Sequence, residues 1–209
     1  MTLLARLEQT NHWLWYGGLI GLLGVLLVLA PAEATLGNVV KIVYLHGALQ
    51  RVAMLAYLAA GVLGIVQVVL VRSALVRWTQ AAMEMAVLLW LAHYVVSLPA
   101  QVLAWGGITL SEPHVASATW ILLGTLLVYV VARWMEHPVW MAFAAVVNAL
   151  LVLFVLRGAV NILHPLNPIF GSDSPAIILF YLAITLVILV LALLLTWERV
   201  RWLARKFGH

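Results

Sequence analysis

Six apolar runs, at about 13–30, 39–71, 79–103, 115–132, 139–156 and 175–197, follow one another along this chain with only short polar breaks between them. A helix rises about 1.5 Å per residue, so about 20 apolar residues cross the roughly 30 Å hydrocarbon core of a bilayer. Backbone in lipid must satisfy its own hydrogen bonds, and helices do so within each run. The expected fold is all-α: an integral membrane bundle of six transmembrane helices, one domain over 1–209. Charge agrees. Only 9% of residues are Asp, Glu, Lys or Arg, against about 25% in a soluble domain, too few to cover a water-facing surface. The second run exceeds what a bilayer needs, so its start is expected to project into the interface or tilt. The first run lacks a small-residue cleavage signature and reads as a retained helix, not a signal peptide.

The basic residues set the orientation. Arg6, Arg72, Arg77, Arg133, Arg199, Arg201, Arg205 and Lys206 fall on one side of the expected bundle, and Lys41, Arg51 and Arg157 lie in or beside helix ends on the other. The positive-inside rule makes the side with eight the cytoplasm, with both chain ends there. The net charge of +4 does not point to nucleic acid, because the basic residues stand singly and form no stripe. The absence of cysteine excludes disulfides and thiolate metal sites. The lipid bilayer is the expected surrounding.

This topology places three polar features on the non-cytoplasmic face: His46, the loop from Trp105 to His114, and the loop holding Asn161 and His164. Polar groups at the membrane are costly and often functional. Two neutral imidazoles can flank a haem iron, although a histidine at a helix end more often caps it or bonds a carbonyl. A two-histidine zinc site has no third ligand at fixed local spacing. Lys41, Arg51 and Arg157 are cations on the right side for haem propionates, or snorkel to lipid headgroups. Trp105 can lie at the interface or stack on a planar ligand, and Gly106-Gly107 permit close backbone approach. Deeper in the bundle, Glu84 and His93 are nine residues apart, roughly 13 Å along a helix. They cannot pair directly, and Glu84 is expected to meet Arg77 or Arg133. Asn148 and Gln67 read as interhelical hydrogen-bonding groups.

Three anchors, in order, carry a resemblance. Ile42-Val43-Tyr44-Leu45-His46 is similar to the segment leading into the first outer histidine of the CcmC branch of the CcmC/CcsA haem-handling family. Trp105 to Ser117 takes the place of its tryptophan-rich WWD segment. Asn161-Ile162-Leu163-His164 is similar to the Asn-Thr-Leu-His run around its second outer histidine. The resemblance covers roughly residues 36–200. It implies axial haem ligation by His46 and His164. It implies a porphyrin platform from the loop that holds Trp105, Gly106, Glu112 and His114, with Lys41 at a propionate. The cofactor would be haem b, held non-covalently. The protein would hand haem on in cytochrome c maturation without itself being an enzyme. Its partners would be an ABC-type transporter, a small membrane protein and a haem chaperone, in the inner membrane of a prokaryote.

The sequence departs from the pattern in the loop. Only Trp105 remains of the tryptophans, Glu112 replaces the Asp, and His114 stands at the usual Arg, where it can act as a competing ligand or a propionate donor. The departures motivate an alternative: a family offshoot that serves as a structural or haem-bearing subunit of a larger membrane redox or photosynthetic complex. Solute transport is a third class. It is disfavoured, because inverted repeats and paired broken helices are not found.

Overall fold

The computed structural model describes residues 12–70, 72–158 and 169–207. They form six helices: α1 His12–Leu29, α2 Val40–Leu70, α3 Ser73–Trp105, α4 Pro113–Trp134, α5 Pro138–Gly158 and α6 Pro175–Phe207. Each is long and apolar enough to cross a membrane, and the chain is a multi-pass membrane protein. The turns 30–39 and 106–112, the end of α5 and the start of α6 share one end of the bundle, called here the loop-bearing end. Arg72 and residues 135–137, with the start of α1 and the end of α6, lie at the other.

Side-chain size, not polarity, separates the inside of this bundle from its outside. The core is rich in alanine, including Ala48, Ala53, Ala60, Ala86, Ala142 and Ala145, while Leu, Val, Trp and Phe crowd the exposed surface. Lipid tails are as apolar as leucine, so helices associate by close backbone approach, which small residues allow. Helix α2 is the hub. Its buried stripe runs Tyr44, Ala48, Val52, Tyr57, Gly61 and Gly64, at three- to five-residue spacing. It packs most broadly on α3, then on α5 and α6. Helix α1 has no buried residue and, among the described residues, meets only α6 and α2. His12 pairs there with Glu198.

Polar groups join the helices. Asn148 of α5 donates to the Thr125 carbonyl of α4 (3.0 Å), and Gln67 of α2 to the Pro138 carbonyl of α5 (2.9 Å). Both act between helices, as their types suggest. In the α1–α2 turn, the Glu33 carboxylate accepts the backbone N–H groups of Leu36 and Thr35, both at 2.9 Å. Those bonds, Leu36 foremost, hold its carboxyl below the usual range.

Helix lengths differ from the sequence reading in two consequential places. Helix α3 begins at Ser73, not near 79, so Arg77 lies within its second turn. Helix α6 continues to Phe207, past the end near Trp197 that the apolar run gives, and takes in the basic residues that follow. Its last turns are tied by cation–π contacts at helical spacing: Arg201 over Trp197 at 4.7 Å, Arg199 over Trp202 at 4.2 Å, and Lys206 over Trp202 at 4.9 Å. The extension swings Arg199 onto Glu84, with contacts of 2.5 and 3.1 Å. Glu84 therefore pairs with α6, not with Arg77 or Arg133.

Candidate metal centre

Three histidines from three helices meet near the loop-bearing end. His46 is in the second turn of α2, His93 lies well inside α3, and His114 is the second residue of α4. One ring nitrogen from each lies within 4.8 Å of the others. The His46 and His93 rings stack at 4.3 Å between centroids, 28° from parallel.

The His93 and His114 rings each have a polar neighbour. His93 is fully buried. Its Nδ1 sits 3.2 Å from the His46 carbonyl oxygen. A carbonyl only accepts, so Nδ1 carries the proton and Nε2 of the neutral ring keeps its lone pair. That Nε2 is buried and has no hydrogen-bond partner among the described residues. Trp90, one turn before His93, lies 5.0 Å from its ring. Trp90 is itself pinned by its indole N–H on the Ala118 carbonyl of α4 (3.0 Å) and by the edge of Tyr57. Gln50, one turn after His46 on the same face of α2, places its amide nitrogen 3.4 Å from His114 Nε2. His46 and His114 are each half-buried, so the cluster is closed on the His93 side and more open on the other.

The loop aims His114. Helix α3 ends on Gly106, which is left-handed at φ 78° and donates its N–H to Val102 O at 3.0 Å. The chain folds back along α3, with Thr109 N–H on Gln101 Oε1 at 3.3 Å. Glu112, nearly buried, then caps α4 by accepting the Val115 N–H at 2.8 Å, with Pro113 as the first helical residue. The sequence reading placed Trp105 and His114 in the loop, but they are helical. Gly106 and Glu112, read as platform residues, terminate one helix and start the next.

The remaining predicted residues are dispersed. Lys41 donates to the Val28 carbonyl at 2.6 Å, capping the end of α1. Arg51 turns to α6, where its Nε donates to Tyr181 Oη at 2.8 Å, and its guanidinium lies 4.9 Å over Phe170 in the turn before that helix. Trp105 is half-exposed and Arg157 is exposed in the last turn of α5. Asn161 and His164 lie outside the described residues. Sequence reasoning passed over His93, taken as a lone mid-helix histidine, and over Gln50 and Trp90. The signals were present as His46/Gln50 at i, i+4 and Trp90/His93 at i, i+3. They were hidden because α3 runs twelve residues past His93, about 18 Å, while α4 begins at the level of the cluster.

Chemically the cluster offers neutral imidazole nitrogens and no thiolate. That donor set suits zinc, iron, copper or nickel, not magnesium or calcium. No family model matches the sequence, and no curated protein matches it.

Proposed function

We infer that this membrane protein binds haem at its loop-bearing end through His46 and hands it on in cytochrome c maturation, in the manner of the CcmC-like proteins it resembles. The observation that supports this is the gathering of imidazoles from α2, α3 and α4 at that end. Imidazole is a common axial ligand of haem iron, and polar clusters among membrane helices mark function. Axial ligands point at each other along one line through the iron. The His46 and His93 rings stack side by side; by the resemblance, His46 and His164 would be the residues that hold the haem iron. A chain without cysteine makes no thioether link, so the haem would be held non-covalently, and haem b is the form this reading assigns. The recipients and helpers are a haem chaperone, an ABC-type transporter and a small membrane protein.

The loop favours a second reading. With Gly106 and Glu112 engaged in capping, Trp105 is the aromatic residue left of the platform. A site thinned in this way suits retention of haem within a larger redox or photosynthetic complex, and gentle purification would then bring redox subunits with the protein.

Detergent-purified protein from haem-replete cells should show Soret and alpha bands of a bis-histidine haem in a reduced-minus-oxidised spectrum, lost in His46→Ala and in His164→Ala. Folded, haem-free protein from such cells would overturn the haem reading. The membrane is the inner membrane of a prokaryote, with the loop-bearing end outward. Because the chain has no cysteine, single replacements can report this. In spheroplasts an impermeant maleimide should label Ser111→Cys, and should label Ser73→Cys only after the membrane is opened. The reverse pattern would overturn the orientation.

A further inference from the structure

We propose that His46, His93 and His114 form a three-imidazole site for a single divalent transition-metal ion of the zinc class, bound without a porphyrin. The site uses His46, as the haem reading does, and needs none of that reading's other assumptions.

Three observations carry it. The first is distance. A tetrahedral ion holds imidazole nitrogens at about 2.0–2.1 Å, which sets neighbouring nitrogens roughly 3.4 Å apart. The three nitrogens already lie within 4.8 Å of one another, so side-chain rotations of about an ångström complete the site without moving a helix. The second is His93. Its Nδ1–H is committed to the His46 carbonyl, the backing that orients a metal-bound imidazole and fixes its tautomer. Its Nε2 is an acceptor in a fully buried ring with no partner among the described residues, which folded proteins rarely leave unexplained. The third is the stack. The His46 and His93 rings are already neighbours, 4.3 Å between centroids and 28° from parallel, so side-chain rotation can turn one nitrogen of each toward a shared ion.

Three neutral nitrogens and no carboxylate from the cluster define the ion by class: a borderline-soft divalent metal with one coordination position left over. His46 and His114 are half-buried while His93 is sealed, so that position faces away from α3. There it is open to water or to a small ligand.

The test uses tag-free, full-length protein in detergent, stripped by a chelator and titrated with Co²⁺. One equivalent should give the intense visible bands of four-coordinate cobalt, bleached by one equivalent of Zn²⁺. His93→Gln and His114→Ala should each weaken Co²⁺ binding at least 100-fold while thermal unfolding shows a folded bundle. His164→Ala should leave the cobalt spectrum unchanged. His114 is the safer variant because it is half-buried at a helix start. Folded wild-type protein without saturable cobalt bands would overturn the proposal. So would bands that survive both His93→Gln and His114→Ala, or bands that require His164. Cobalt binding in protein that never carries haem leaves the proposal standing and removes the haem reading. Haem lost with His164→Ala but kept with His93→Gln separates the two sites.

Discussion

Gly64→Leu is expected to abolish the folded bundle, with loss of the monodisperse species in size exclusion and of the thermal transition in detergent. A Cβ built at Gly64 lies 2.6 Å from the Ala142 carbonyl oxygen and 3.3 Å from Ala145 Cβ. The first contact is with the backbone of α5, which no rotamer change relieves, so α5 would have to withdraw by nearly an ångström. At Gly61 the same test meets Ala149 Cβ at 2.7 Å. Overpacking a tight core costs about 1–3 kcal/mol even for small insertions. Leucine adds three carbons beyond the offending one, whereas the helix-propensity gain over glycine is about 1 kcal/mol. Steric cost therefore wins. Gly21→Leu on α1 is the control: nothing lies within 4 Å of its Cβ, and it should unfold like the parent. Equal melting of the two variants would mean that α2 and α5 do not meet this closely.

Glu84→Ala is expected to destabilise the protein by about 3 kcal/mol, at the low end for breaking a buried ion pair. The carboxylate receives a two-pronged grip from Arg199, at 2.5 and 3.1 Å, and further bonds from Gln80 and Tyr129, both at 2.9 Å. It thereby ties α3, α4 and α6 together. A surface pair would be worth about 0–1 kcal/mol, and the choice turns on exposure: 18% for the Glu84 side chain and 34% for Arg199. The half-open arginine is why the low end applies. Arg199→Met should cost a similar amount, and the double variant should cost less than the sum, since each single change strands the partner. A loss below about 0.5 kcal/mol for Glu84→Ala, or strict additivity of the two changes, would place the pair with surface salt bridges.

The all-helical, six-crossing architecture was determined by the sequence alone, because lipid permits so little else for runs of this length and apolarity. The interhelical roles of Asn148 and Gln67 also followed from residue type, since a lone amide among apolar helices must find a partner. Which helix contributes that partner did not follow. In a bundle apolar on both faces no polar stripe marks the inside, and the packing face is set by where small residues let backbones close. Glu84 met Arg199 because α6 stays helical beyond 197.

The site divides the same way. His46 at the loop-bearing end was legible from its place near the start of an apolar run, and His114 from its place beside a loop. Their convergence on His93 was decided by tertiary structure. Sequence position gives depth only if helices start level, and α3 overhangs α4 here. A histidine twelve residues from the end of one helix thus meets one at the very start of the next. Axial offset between neighbouring helices is a property of packing, and packing brought three separate imidazoles to one point.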